Sequence, residues 1–526
     1  MKKYVIIGIS TIIAFLMLAS TRFPTSPGRP FQIKVHNINQ VELSISNFGK
    51  FGQTQGGGSG LWWPKGSGHN YIFGAGFWYG TVDSASGDTL VTVGYSPHGG
   101  ECELGPGLEG MPTNDTNAII FMYPSPWPPP QGVFSMAPQT ALSHQDSWCC
   151  FNDCDSTWHV PGDTRPIGIE VYQTVYVWNL PAIEDIAFMT YEFKNVSGHN
   201  LHDCYFGVVT DCDIGNESGS AANDRISGII EKHYFIDGLW YIADNLGYQW
   251  QEEPESGWSE FPGVIGFDLL QTPFDLVPGQ DKDSDGILDQ YEQDSAYYVV
   301  NLPPYMWDVD LDNTPDWRDP SENPQQGMTA YKRFTLSFEP NTDPQRYLTL
   351  AGYNYQNGAY EPYDTMPFAP DDQRFLMSSG PFDLETDESV TMVFAIVLAN
   401  WHDIYGTPDT ALVLADYWAQ HVYDHSWRIF DIEERTASNS MNNGFRIFPN
   451  PTNTSSTVRF TLAQPGLATL KLYNTAGQLV RMIDAGQRQA GVHDIRLDLN
   501  DLSAGTYFIA LQTPSTKQVQ PIIVLK

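Results

Sequence analysis

Residues 167–177 read Ile-Gly-Ile-Glu-Val-Tyr-Gln-Thr-Val-Tyr-Val. Ile167, Ile169, Val171, Val175 and Val177 stand on alternate positions, the period of two that a strand shows when one face is buried. Ile183–Phe193, Cys204–Thr210, Ile226–Ile236, Leu239–Ala243 and Val390–Leu398 read the same way. Phe77–Val82 and Thr89–Tyr95 flank Ser84-Ala85-Ser86-Gly87-Asp88, a hairpin signal. Strands this frequent, without helices alternating between them, predict an all-β chain of sandwiches rather than a βαβ sheet. One helix interrupts the pattern near residues 407–427. Thr407 caps it, Pro408 takes its first position, and Leu414, Trp418 and Val422 recur along one face.

Composition agrees with that class. The chain has 526 residues, against a prior of about 150 per domain, so two to four units are expected. Hydrophobic residues make up 41% and aromatic residues 13%, enough for sizeable cores and too many for a disordered acidic chain. Gly and Pro number 46 and 37, and charged residues only 17%, a turn-rich balance typical of β proteins. A net charge of −35 repels phosphate backbones and anionic lipid, which excludes nucleic acid as a partner. The charge is uneven. Residues 281–319 hold eleven acids and two bases, whereas residues 445–526 hold eight bases and four acids.

These shifts divide the chain. Lys2 and Lys3 precede an apolar run from Tyr4 to Ala19, the layout of a secretory signal peptide over residues 1–21 with cleavage near Ala19–Thr21. The alternative is a membrane anchor, for which the run is short of the roughly 20 residues a span needs. No later stretch is apolar enough to cross a bilayer, so the mature chain is expected to lack a transmembrane segment. A β-rich body follows in two parts, 22–275 and 321–430, around an acidic insertion at 276–320. A polar linker at 431–444 leads to a C-terminal domain at 445–526.

That last domain opens with Phe445-Arg446-Ile447-Phe448-Pro449-Asn450-Pro451. It continues through Val458–Leu462, Ala468–Asn474 and Gly477–Val480, then Leu502–Phe508, and closes with Ile522-Ile523-Val524-Leu525-Lys526. About seven alternating strands joined by Gly, Asn and Pro turns describe a small immunoglobulin-like β-sandwich. In the order of its motifs the segment closely resembles the type A C-terminal sorting domain of type IX secretion substrates. The resemblance implies recognition by the type IX machinery and delivery to the outside or outer surface of a Gram-negative-type bacterium. More faintly, Gly60–Gly68, Gly76–Gly80 and Arg374–Phe382 resemble segments of uncharacterised bacterial surface proteins that carry such domains.

The acidic insertion carries the sharpest local pattern. In Asp281-Lys282-Asp283-Ser284-Asp285-Gly286-Ile287-Leu288-Asp289-Gln290-Tyr291-Glu292, oxygen donors fall at loop positions one, three, five, nine and twelve. A hard cation such as calcium needs six to eight oxygens, and this spacing wraps the chain around one ion. Gly286 permits the turn, Ile287 is expected to offer its backbone carbonyl while Leu288 points inward, and Glu292 closes the site. The spacing recurs with Asp308, Asp310, Asp312, Asp316 and Asp319, where Thr314 offers the carbonyl and Asn313 replaces the glycine. Flanking prolines argue against helix–loop–helix geometry. The pair resembles the calcium loops of thrombospondin type 3 repeats, which implies about two bound calcium ions. A solvated acidic loop is the alternative.

Six cysteines in an exported chain, Cys102, Cys149, Cys150, Cys154, Cys204 and Cys212, point to disulfides. An adjacent Cys149–Cys150 bridge would be strained, and a strand separates Cys204 from Cys212, so either is expected to reach the 149–154 cluster. Zinc held with His144 and His159 is the alternative, although the spacing fits no standard zinc pattern. No Gly-x-Ser-x-Gly, His-Glu-x-x-His or P-loop motif is present, and no catalytic residue stands out. The expectation is an exported structural, adhesive or polymer-binding protein with surface polysaccharide or other surface proteins as partners. A secreted hydrolase of polysaccharide or protein is the alternative.

Overall fold

The computed structural model describes residues 30–524 except 98–101, 160–163, 216–220, 237–238, 259–260, 283–285, 304–305, 308–314, 319–322, 336–337, 367, 403–405, 426, 428–444, 449–451, 453, 463–465, 475–478, 501, 504 and 513–516. The signal segment at 1–21 and the linker at 431–444 lie outside the described residues. The chain forms two compact units: a body of Met1–Trp178 with Asp185–Gln420, and a second unit of Asn179–Glu184 with His421–Lys526.

The body is built from β1 (Gly74–Val82), β2 (Ser147–Asn152), β3 (Ile169–Tyr176), β4 (Ile186–Asn195), β5 (Leu201–Asp211), β6 (Asp224–Ile236), β7 (Leu239–Gln251), β8 (Val264–Gln271), β9 (Ala330–Thr335), β10 (Gln373–Leu384) and β11 (Ser389–Ala399), with shorter strands beside them. One sheet runs β9–β10–β5–β1 and continues into short N-terminal strands; the other runs β6–β7–β8–β11–β4–β3–β2. The two face each other over one apolar core, as the alternation at 167–177 requires. Phe77 of the first sheet meets Phe151 and Phe193 of the second, with ring centroids 6.1 and 5.0 Å away. Trp78, on the opposite face of β1, is also fully buried, under helix α2 (Asp343–Leu350), which follows helix α1 (Ser295–Asn301) in the chain. Trp148 and Trp178 are fully buried too, so these tryptophans serve packing.

Two strand pairs interlock the sheets. β4 and β5 are consecutive in the chain yet lie in different sheets, and so do β10 and β11. β4 pairs with β11 and β5 with β10, so each consecutive pair meets the other across both layers. The entry to β3 is clamped by Asp153. Its carboxylate accepts the amides of Ile167, Gly168 and Ile169 at 2.7–3.0 Å and the Thr92 hydroxyl at 2.6 Å. Gly168 has φ +91, and a Cβ there would come within 2.7 Å of Ser197 Cα, so the turn into β3 requires glycine.

The long helix spans Pro408–Asp424, inside the expected 407–427. Two short helices, Ser295–Asn301 and α2, were not legible as periodic runs. In the second unit, Phe445–Phe448, Ser455–Leu462 and Gly491–Asp498 form one sheet. Leu479–Arg488, Gly466–Asn474, Gly505–Gln512 and Lys517–Val524 form another. Val458, Phe460, Leu470, Leu472, Ile509 and Ile522 fill the space between them. The fold is thus all-β throughout, with sandwiches in both units.

The cysteines correct the expectation of disulfides: all six are unbridged thiols. Cys149 and Cys150 lie on β2 and point to opposite faces, Cys149 into the main core and Cys150 into a separate cluster with Phe134 and Trp148. Cys204 begins its contacts in the other sheet, where its thiol meets Thr81 Oγ1 at 3.5 Å. Cys149 is directed to the Ser46 carbonyl at 3.6 Å, and Cys102 to that of Phe48 at 2.7 Å. Burial pushes the Cys102 and Cys204 thiols up to about 11, and Cys149 higher still. They behave as small core hydrophobes. Nor is a zinc set assembled: among the described residues the cysteines and the two histidines do not bring three ligand atoms within 4.8 Å of one another, and His159 Nε2 lies 3.0 Å from the Asp153 carbonyl.

Candidate functional site

Three acidic regions bear on function. The first is the insertion, where Asp283, Asp285, Asp308, Asp310, Asp312, Thr314 and Asp319 lie outside the described residues, as does the side chain of Asp316. Asp281 is exposed, and Gly286 adopts φ +98, the left-handed turn its position demands. Ile287 is buried and Leu288 exposed, which reverses the inward role expected of Leu288. Asp289 accepts the Val277 amide on one oxygen and the Lys282 amide on the other, each at 2.9 Å, so it draws the loop into a closed turn. Glu292 is buried and accepts the Tyr298 hydroxyl at 3.2 Å. Asp294 caps the Ser295–Asn301 helix through the amides of Ala296 and Tyr297. Tyr298 packs on Trp317, and Trp317 on Trp307, giving the insertion an aromatic core of its own. The donor set is oxygen-only, as a hard cation needs, while Asp289 already serves two amides.

A second cluster, missed from the sequence, closes the ends of β5 and β10. Asp211 stands directly opposite Arg374 in their antiparallel register. Continuing that register by two residues sets Asp213 beside Asp372. One carboxylate oxygen from each of Asp211, Asp213 and Asp372 lies within 4.8 Å of the other two. At an effective dielectric of about 20, two unit charges at such a separation repel by roughly 3.5 kcal/mol. Arg374 offsets part of this, contacting Asp211 at 3.2 Å, Asp372 at 2.8 Å and Glu339 at 3.1 Å. The Tyr95 hydroxyl donates to Asp211 at 2.9 Å. Asp224, the first residue of β6, approaches from the other sheet. Its Oδ2 accepts the Ile214 amide at 3.2 Å and the Gln249 side-chain amide at 2.8 Å. Burial raises the carboxyls of Asp211, Asp213 and Asp224. Neighbouring carboxylates push the same way, and Arg374 opposes them at Asp211 and Asp213. The signal in the sequence is an acid two residues beyond one apolar strand and another just before a second, but nothing local says those strands are partners.

The third region is a cleft of about 310 Å³ lined by Asp244, Asn245, Thr272, Asn323, Gln325 and Gln420, among others. Asp416 lies nearby, and burial, with the charge of Asp244 adding, holds its carboxyl well above the ordinary range. The polar side chains of the lining are four amides, one hydroxyl and one carboxylate, groups that hydrogen-bond sugar or peptide backbones.

With the two sandwiches and these acidic regions in place, the protein is an all-β chain of the exported, multidomain class. Its C-terminal segment fixes the route: residues 446–525 match the secretion system C-terminal sorting domain family, so the protein is a secreted type IX substrate, released or held at the cell surface. No curated protein matches the chain. Among solved structures, a polysaccharide lyase superposes with a TM-score of 0.23 and 8% identity, covering 95% of this chain and 47% of that one. The chain therefore spans about half the length of that lyase. A TM-score of this size shows neither a shared fold nor a shared activity. Among the described residues no helix is long and apolar enough to cross a membrane.

Proposed function

We propose that the protein is a calcium-binding, non-catalytic component of the outer cell surface of a Gram-negative-type bacterium, whose sandwich body binds surface polysaccharide or other surface proteins. The observation that carries this reading is the sorting-domain match at residues 446–525, which supports a secreted or cell-surface chain whose larger body is the part that meets the outside. The paired oxygen-donor spacing of residues 281–319 supports calcium as a stiffening ion for the insertion. Deleting residues 445–526 should leave the body folded but abolish surface delivery, and normal delivery of the truncated chain would sink the export assignment. Calorimetry should find calcium uptake that Asp283→Asn with Asp285→Asn reduces by one ion, with magnesium a poor substitute because it keeps its own waters. The absence of uptake at millimolar calcium would reduce both loops to acidic surface.

One observation favours the alternative of a secreted hydrolase. The 310 Å³ cleft is lined by Asp244, whose charge adds to burial in raising the carboxyl of the neighbouring Asp416, and a raised carboxyl beside a second acid is the kind of pair used in general acid catalysis. A panel of polysaccharides and peptides scored for both binding and turnover separates the two. Binding without turnover supports the first reading. Turnover lost in Asp244→Asn supports the second.

A further inference from the structure

We propose that Asp211, Asp213 and Asp372, with Asp224 behind them, form a divalent-cation site in the body, separate from the acidic insertion. The trio already presents three oxygens close enough to share one ion, from two neighbouring strand ends whose positions the β5–β10 ladder fixes. A rigid scaffold of this kind needs little rearrangement to bind.

Asp224 supplies the independent sign. It is fully buried, and among the described residues its Oδ1 has no hydrogen-bond partner, although Oδ2 has two. A buried carboxylate oxygen left without a partner is costly, and folded proteins rarely tolerate one without an ion or water. The residue is wedged against the trio. Oδ2 is held by the amide that follows Asp213, and the backbone carbonyl accepts the Asp371 amide at 3.1 Å and the Gln373 side-chain amide at 2.8 Å. The charges of Asp213 and Asp372 both act on its carboxyl, so it borders the trio while standing outside the 4.8 Å group itself.

The charge balance points the same way. Arg374 is already divided among Asp211, Asp372 and Glu339, so one cation faces five carboxylates, counting Asp213 and Asp224. That leaves an excess of four negative charges, of which a divalent ion cancels half. The donors are all oxygen, which selects calcium, magnesium or manganese over zinc. Asp213 and Asp372 are only partly buried, which leaves an entry path from solvent.

The test uses the full-length protein and calcium, by titration calorimetry and thermal melting. Asp213→Asn with Asp372→Asn should bind one calcium fewer per chain. The same variant should melt above the wild type in EDTA, because the repulsion is gone, yet gain less from calcium. Asp283→Asn with Asp285→Asn should keep this ion whatever the insertion does, so failure of calcium binding in the insertion leaves the inference standing. Unchanged stoichiometry together with an unchanged calcium-induced shift in the Asp213/Asp372 variant overturns it. Melting of that variant below the wild type in EDTA overturns it as well, since the carboxylates would then be stabilising the fold unaided.

Discussion

Replacing Phe77 with Ala tests the two-sheet architecture at its centre. Phe77 is fully buried and its ring meets Phe151, Tyr191, Phe193 and Phe206, the first three contributed by the opposite sheet. A phenyl side chain of this kind hides about 175 Å², and at roughly 25 cal/mol per Å² its loss forfeits about 4 kcal/mol. Phe→Ala substitutions in cores fall at about 3–5 kcal/mol, the upper part when the cavity cannot collapse. Four rings anchored on strands of both sheets leave little room for collapse. An unfolding entropy of roughly 2.1 cal/mol/K per residue over a body of about 400 residues gives near 0.8 kcal/mol/K. The body's melting transition should therefore fall by about 5 °C in calorimetry, with the transition of the C-terminal unit unmoved. Phe235→Ala, at a residue 61% exposed near the end of β6, is the control and should shift melting by less than about 1 °C. Equal shifts for the two variants would refute the packing of one sheet on the other.

The remaining expectations concern charge and thiols. His36 is fully buried against Ser147 Oγ at 2.7 Å, and burial lowers its pKa to about 3, against the Gln145 backbone, which raises it. The unfolded chain therefore takes up a proton near pH 6.5 that the folded chain refuses until about pH 3, so stability is fully present above 6.5 and falls below it. His36→Gln should flatten that decline in denaturant titrations from pH 7 to pH 4; an unaltered slope would assign it elsewhere. Arg374→Met removes the guanidinium that Asp211, Asp372 and Glu339 share and should destabilise the body by about 3–5 kcal/mol in cation-free buffer. Arg165→Met, at a half-exposed guanidinium that pairs with Asp83 and the exposed Asp88, should cost under about 1 kcal/mol, and similar losses for the two would contradict the burial argument. Alkylation of the native protein should leave Cys149 and Cys150 untouched, while unfolding without reductant should release six reactive thiols. Mass spectrometry showing a bridge from Cys204 to Cys149 would count against the thiol assignment.

What the sequence revealed was local. Alternation at 167–177 became β3, and Val390–Leu398 became β11, because a half-buried strand needs only its own period to be recognised. The Pro408–Asp424 helix carried its cap and its apolar stripe in consecutive residues. Pairing was illegible. Nothing near Asp211 names Arg374 as its cross-strand neighbour more than 160 residues away, so the Asp211–Asp372 cluster is invisible until the ladder is known. The calcium spacing was legible as a pattern, but the inward side chain was not. Ile287 is the buried residue and Leu288 the exposed one. Export suggested disulfides, and strand geometry turned Cys149 and Cys150 to opposite faces.

The interlocked strands also set when the body can become a folded object. β4 and β5 are made early, yet their partners β11 and β10 end only at Ala399 and Leu384. Until those residues are available, both sheets keep open edges at their centres rather than at their rims. Closing loops of this length adds little entropy cost per doubling, but the contacts that reward it arrive late and together. The body should thus behave as one cooperative unit, with no stable N-terminal half. A chain interrupted before the β10–β11 segment has no partial sandwich to rest in and offers its unpaired edges to proteases and to other copies of itself. For cargo that has to pass through a secretion system, that places the decisive folding step after nearly the whole body has been delivered.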